Sequence, residues 1–325
     1  MQLVLDTNGL TLKKRNNSFW VVSKKHRRVI SPHRVSSIAV VRDCLISTAA
    51  IRLAINHKIP IFFFSYAGKA VGSLWSPYFG SIATIRRNQL KLAETEAATS
   101  LIVDWFQQKS ERQQACLTFL ASVGNSHKDI RPIQQRLKLQ INKMNNLRNL
   151  PIAQCRSSLM GIEGNAASVY WRTISGLLPK EWQFPERSRR PAKDNFNAAL
   201  NYLYGMLYNL VENASLAAGL DPMLGFLHVD NYLKTTFVFD VIEIFRPWID
   251  ELLLQSIYEQ NQQKQFFESV KGGIQLSKLG RKFYIPRFNQ YMAVVVKVGK
   301  VRLSRKNHIY HFLGNFAQTL KTKTR

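Results

Sequence analysis

The chain changes periodicity once, near Pro77–Gly80, and that change limits what it can fold into more than any other feature. Before it, apolar residues come in short runs. LTLKKRNNSFWVVS reads as two strands about a polar Arg15–Asn17 turn, and VSSIAVV and IPIFFFS are β-branched or aromatic runs bounded by Pro, Ser and Gly. One helix is expected there, Thr48 to His57, with Ala49, Ala50, Leu53 and Ala54 on its inner side. From Ile82 the apolar residues recur at helical spacing, beginning with IATIRRNQLKLAETEAATSLIVDWF. A basic amphipathic helix follows at about Ile130–Leu147, and Gly161–Gly176 reads as a helix with Ala166, Ala167, Tyr170 and Trp171 packed. Leu178–Lys193 holds three prolines and reads as a basic loop. Asp194 is placed to cap a helix that runs to about Ala218 and ends at Gly219. The expected fold is α+β: a small β-rich N-terminal domain, residues 1–80, then a larger all-α C-terminal domain, residues 81–325.

Within the helical part, Gly225–Asp250 is apolar enough to be core yet carries His228, Asp240 and Glu243. Asp240 and Glu243 are three residues apart, which puts both carboxylates on one helix face. A buried carboxylate is costly unless it is paired or bound to a cation. The segment therefore needs a basic side chain, such as Arg246, or a metal ion. Pro247 has no N–H, so the carbonyl of Glu243 loses its helical donor and a kink is expected there.

Charge narrows the partner. The formal net charge is +26, far outside the ordinary range, and such a surface attracts nucleic acid or an anionic membrane. No uninterrupted apolar run reaches transmembrane length, and MQLVLDTNGL lacks the charged and apolar regions of a secretory signal. Cys44, Cys116 and Cys155 are scattered, which suits a reduced cytosolic protein and excludes a CxxC-type zinc site. No acidic residue follows Glu268, while thirteen Lys and Arg do, interleaved with Tyr284, Phe288, Tyr291, Tyr310 and Phe312. That strip is either a nucleic-acid surface or a helical core with a solvated basic face.

Glu163 stands between glycines in GIEGNAASVYW, at the start of the expected helix, where the chain can approach other elements and the helix dipole favours the ionised carboxylate. Alone, Glu163 reads as a capping glutamate and His228 as a packed histidine. Taken together, one Glu, one His and one or two further carboxylates from three segments of a basic domain suit a divalent metal: Mg²⁺ by oxygen ligation, Mn²⁺ through the histidine. Such an ion could polarise a phosphodiester.

At these residues the sequence resembles the CRISPR-associated adaptation integrases, the Cas one family. The resemblance rests on ISTAAIRLAINHKIPIFFFSYAGKAVGSL, ATIRRNQL, GIEGNAASVYW, RSRRPAKDNFNAALNYLYGML, AAGLDPMLGFLHVDN and FVFDVIEIFRPWID, in that order. It implies an N-terminal domain that mediates homodimerisation and a helical domain that holds the active site. It also implies a prokaryotic cytoplasmic enzyme that joins the 3′-hydroxyl of a prespacer to a CRISPR repeat and cleaves DNA as an endonuclease. The implied partners are double-stranded and branched DNA and a small protein of the Cas two family bridging two dimers. The metal ligands carry over to Glu163, His228 and Glu243, with Asp240 beside the site as an alternative ligand or a support for one. Arg86, Arg87, Arg187, Arg189, Arg190, Lys193 and Arg246 are candidates for DNA contact, and Tyr170 for contact with the nucleic-acid end. Asn197 and Tyr204 match the family pattern and could be structural. The rival readings are a transposase that uses a related integrase, and a DNA-binding scaffold whose acidic cluster forms ion pairs only.

Overall fold

The computed structural model describes residues 2–23, 27–35, 37–64, 70–74, 82–123, 129–189, 191–229, 231–232, 234–259 and 264–322. The chain divides into two compact units, Met1–Ser81 and Ile82–Arg325.

The first unit is β-rich. Its described strands are β1 (Gln2–Leu5), β2 (Leu10–Arg15), β3 (Ser18–Val22), β4 (Arg27–Ile30), β5 (Ser37–Val40), β6 (Cys44–Ile46), β7 (Ile61–Phe64) and β8 (Ala70–Leu74). They form two four-stranded sheets, ordered β1-β5-β7-β8 and β4-β3-β2-β6. The β2–β3 hairpin turns at Asn16 and Asn17, both with positive φ (44° and 56°), the residue type that tolerates the left-handed pair a tight hairpin needs. Helix α1 (Thr48–Asn56) starts at Ser47, whose hydroxyl accepts from the Ala50 N–H. It buries Ala50, Leu53 and Ala54 beside Leu12 and Phe19, whereas Ala49, expected inside, is exposed.

The second unit is mostly helical. It comprises α2 (Ile82–Ala93), α3 (Glu96–Val123), α4 (Arg131–Asn145), α5 (Ile152–Leu177), α6 (Asn195–Ala217), α7 (Thr236–Val241), α8 (Arg246–Tyr258), α9 (Lys278–Ala293) and α10 (Arg305–Thr322). Two short hairpins, β9 (Phe267–Val270) with β10 (Gly273–Leu276) and β11 (Val295–Val298) with β12 (Val301–Ser304), add to the expected all-α fold. Asp194 caps α6 by accepting from the Asn197 N–H at 2.7 Å, and Gly219, at φ 81°, follows its end. Helix α3 packs against α4, α5 and α8, and α6 packs against α8 and α10. Trp105 on α3 meets Phe226, Phe237, Phe312 and Phe316 at ring separations of 6.0–6.3 Å, an aromatic centre to the core.

The C-terminal aromatics belong to this core. Tyr284, Phe288 and Tyr291 are buried, and Tyr310 and Phe312 pack against it. The alternative of an aromatic nucleic-acid strip is thereby corrected: alternation with basic residues here reflects helices with one apolar face.

Candidate active site

Glu163 lies in the middle of α5, not at a helix start, because the helix begins at Ile152. The expected support from a helix N-terminus is therefore absent. Its flanking glycines also differ from expectation. A Cβ at Gly161 or Gly164 would meet nothing within 4 Å, so these positions leave the helix face beside Glu163 bare rather than admitting a neighbouring element.

Glu243 sits in a 3₁₀ turn, Ile242–Ile244, between α7 and α8. The kink expected from Pro247 is a complete interruption, with Pro247 in the first turn of α8, where no intrahelical donor is needed. The turn closes by Phe245 N–H to Ile242 O at 2.9 Å and Trp248 N–H to Phe245 O at 3.1 Å. Arg112 supplies a further donor, to Ile244 O at 2.7 Å. This break turns Glu243 away from the register of α7 while keeping it 9% exposed.

His228 is held by a loop that folds back on itself. Gly225 makes this possible: a Cβ there would stand 2.8 Å from both the His228 carbonyl oxygen and Thr236 Cβ. Asp240, 2% exposed, accepts from the backbone N–H groups of Phe226 (2.6 Å), Leu227 (3.0 Å) and His228 (3.1 Å). The same carboxylate faces His228 Nδ1 at 2.6 Å. That contact orients the imidazole through Nδ1 and leaves Nε2 as the ring nitrogen that Asp240 does not engage. Of the two roles open to Asp240, its geometry suits orienting His228, since its oxygens are already taken.

The residue that sequence reasoning missed is Lys109 on α3. Its Nζ lies 2.6 Å from Glu163 Oε1 and 2.6 Å from Glu243 Oε2. Glu243 Oε1 is 2.8 Å from Arg246 Nε. Burial pulls the Lys109 ammonium down, but Glu243 and Glu163 outweigh it and hold the group above its usual range. Burial raises the Glu243 carboxyl, yet Arg246 and Lys109 prevail and hold it well below the usual carboxylate range, with the field of His228 acting in the same direction. The signal for Lys109 was a lysine within an otherwise buried stripe, Ile102, Phe106, Lys109 and Gln113.

Among the described residues no three of His, Cys, Asp and Glu converge as a ready ligand set. Two carboxylates do converge, and the point they share carries a positive charge. Hard oxygen donors on a common cation fit Mg²⁺ or Mn²⁺ once the ammonium moves aside, and the field of His228 reaches Glu243.

A second missed residue, the acid Asp250, lies close enough to Arg246 to act on its charge. It accepts from Tyr170 OH at 3.0 Å and Tyr204 OH at 2.5 Å. Burial pushes it up to about 6, opposed by the two tyrosine hydroxyls, Arg187 and Arg246. Tyr170 is fully buried, so its expected contact with nucleic acid is corrected: it is a core residue that holds Asp250. Arg246 lies 4.8 Å above the Tyr204 ring and is committed to Glu243, so its expected role in DNA contact gives way to an ion pair. Arg187 stacks on Trp171 at 5.1 Å and donates to Asn201 at 3.0 Å, and burial lowers its pKa. Asn197 is buried and donates to Asp194 and to Glu186 O, a structural role.

The remaining basic candidates lie nearer the surface. Arg87, Arg189 and Lys193 are exposed, and Lys193 Nζ reaches Gly272 O at 2.9 Å. Arg86 stands 4.0 Å from Asp221. Arg190 lies outside the described residues.

A CRISPR-associated endonuclease of Archaeoglobus fulgidus is 32% identical over 270 residues, covering 79% of this chain and 78% of the relative. A solved casposase bound to integration product aligns with a TM-score of 0.75 at 22% identity, covering 100% of this chain and 91% of the other. A partial Cas6-RT-Cas1–Cas2 complex contains a chain that aligns with a TM-score of 0.70 at 21% identity, covering 100% and 96%. At such identities the two structures speak for the fold alone. The sequence profile described as CRISPR associated protein Cas1 matches residues 3–290, which covers most of both units and every residue of the cluster, and the chain belongs to that family.

Proposed function

We propose that the chain is a metal-dependent DNA integrase of CRISPR adaptation, joining prespacer 3′-hydroxyl ends to the CRISPR repeat by transesterification, with DNA endonuclease activity. The observation that carries this reading is the convergence of Glu163 and Glu243 on one buried cation, with the field of His228, held at Nδ1 by Asp240, reaching Glu243. The endonuclease named among the relatives supports it. Glu163, Glu243 and His228 Nε2 would hold Mg²⁺ or Mn²⁺, which would supply charge stabilisation to the transferring phosphoryl group.

The protein's own residues do the rest. Exchange of one phosphodiester for another needs no external energy, so catalysis reduces to positioning and electrostatics. Asp240 fixes the imidazole, and the 3₁₀ turn fixes Glu243. Arg246, stacked on Tyr204, keeps Glu243 ionised. Exposed Arg87, Arg189 and Lys193 are the proposed phosphate contacts that set register without reading sequence.

The β-rich unit is proposed to mediate homodimerisation, and a small Cas2 protein to bridge two dimers on DNA, in keeping with the Cas1–Cas2 assembly among the structural neighbours. Among the described residues no helix is long and apolar enough to cross a membrane.

The test is joining of a labelled prespacer to a supercoiled target carrying a CRISPR repeat, with the small partner protein and Mn²⁺ present. The proposal expects joining at the repeat boundary and its loss on chelation. Insertion of mobile-element ends without the partner would favour the transposase reading. DNA binding with neither joining nor cleavage would favour the scaffold.

A further inference from the structure

Glu243 has no carboxylate oxygen clear of a cation. Its Oε2 is 2.6 Å from Lys109 Nζ and its Oε1 is 2.8 Å from Arg246 Nε. Lys109 also holds Glu163 Oε1, again at 2.6 Å. Glu163 Oε1 and Glu243 Oε2, the oxygens that would hold a divalent ion between the two side chains, are the ones that now hold the ammonium. The two cations exclude each other. For a metal to bind, one of the basic side chains must yield.

The surroundings decide which one. Arg246 is anchored: its guanidinium lies 4.8 Å from the Tyr204 ring centroid, and Tyr204 is in turn fixed to Asp250 at 2.5 Å. Its backbone opens α8, three residues from Glu243, so the pair is set by local geometry. Lys109 reaches across from a different helix on a flexible four-carbon stem. Its further contact is the Phe106 ring, one turn earlier on α3, at 5.5 Å.

We propose that Lys109 is a built-in counter-ion that occupies the metal position and is displaced when the divalent metal binds. The inference rests on the metal-centre reading above. In the metal-free protein Lys109 keeps buried Glu243 and part-exposed Glu163 from repelling each other, so the site folds without its ion. With Lys109 and Arg246 present the charges of Glu163, Glu243, Lys109 and Arg246 sum to zero. When the divalent ion takes the place of Lys109, the cluster of Glu163, Glu243, Arg246 and metal carries a net positive charge of one, suited to a phosphodiester. The same displacement makes metal affinity weaker than the donor set alone would give.

The experiment is a Mn²⁺ titration of the full chain, read by the electron paramagnetic resonance of free Mn²⁺, for wild type, Lys109→Met and Glu163→Ala. Methionine approximates the length of the lysine stem without its charge. Lys109→Met is expected to bind Mn²⁺ roughly tenfold to a hundredfold more tightly than wild type, the equilibrium worth of a hydrogen bond to a charged group. It is also expected to melt at lower temperature in chelator and to gain more from Mn²⁺ than wild type does. Unchanged or weaker affinity in Lys109→Met, with Glu163→Ala abolishing binding, overturns displacement and leaves the metal centre standing. No Mn²⁺ binding in wild type, or binding unaffected by Glu163→Ala, overturns both. A second measurement needs no variant. Acylation of Lys109 by an amine-reactive ester, followed by mass spectrometry of its peptide, is expected to rise several-fold as Mg²⁺ saturates wild type, because Lys109 is 8% exposed and doubly ion-paired without metal. Constant or falling reactivity overturns the proposal.

Discussion

At the scale of single residues, ionisation gives the clearest consequences. Asp250 is buried and pushed up to about 6, whereas an unfolded aspartate titrates near about 3.9. The native state therefore binds this proton more tightly, and the contribution of Asp250 to stability falls as pH rises through that interval, then levels off. Asp250→Asn removes the titration. The stability of the variant relative to wild type is expected to improve by about 2 kcal/mol between pH 4.5 and 6.5, by urea unfolding. A relative stability that does not move with pH contradicts the assignment. Residue type and motif single out Glu163, His228 and Glu243, and the structure brings the two glutamates together on Lys109. Lys109 and Asp250 were not legible, because each looks like one polar residue within an apolar helical stripe. What they face comes from tertiary packing: Glu163 and Glu243 for Lys109, and Tyr170 and Tyr204 for Asp250.

Elements were legible where local chemistry is strong. Asp194 caps α6 as its sequence suggests, and Asn16–Asn17 makes the turn between β2 and β3. Asp194 also accepts from the Asn197 side chain at 2.6 Å, tying the cap to a buried residue. Asp194→Ala is expected to lower stability by about 1–2 kcal/mol, with Asp194→Asn closer to wild type, by chemical denaturation. An unchanged midpoint in Asp194→Ala would contradict this. The hairpins β9–β10 and β11–β12 escaped notice because FESV, GIQL, VVKV and VRLS are only four residues each. The start of α5 was placed late because Pro151, which precedes Ile152, is a weaker signal than the Gly161–Gly164 pair. The 3₁₀ turn at Glu243 was read as a kink because the periodicity of α7 and α8 runs through it.

For the whole molecule, the net charge of +26 is the dominant fact, and the proposal makes it a DNA-binding surface. DNA affinity should fall steeply with salt, with a log–log slope of roughly −0.9 per phosphate neutralised. Arg189→Ala with Lys193→Ala should lessen the slope by about two units, alike for unrelated sequences, in fluorescence anisotropy across a KCl series. A flat salt response would contradict the surface assignment. The cluster matters at this scale because a site that is neutral with Lys109 and Arg246 in place becomes attractive to DNA once a divalent ion is bound. The most direct measurement of that claim is strand transfer by purified Glu243→Ala, with wild type alongside, using a prespacer, a supercoiled CRISPR target, the small partner protein and Mn²⁺. The account predicts loss of joining with DNA binding retained. A Glu243→Ala protein that still joins the prespacer 3′ end to the repeat would contradict it.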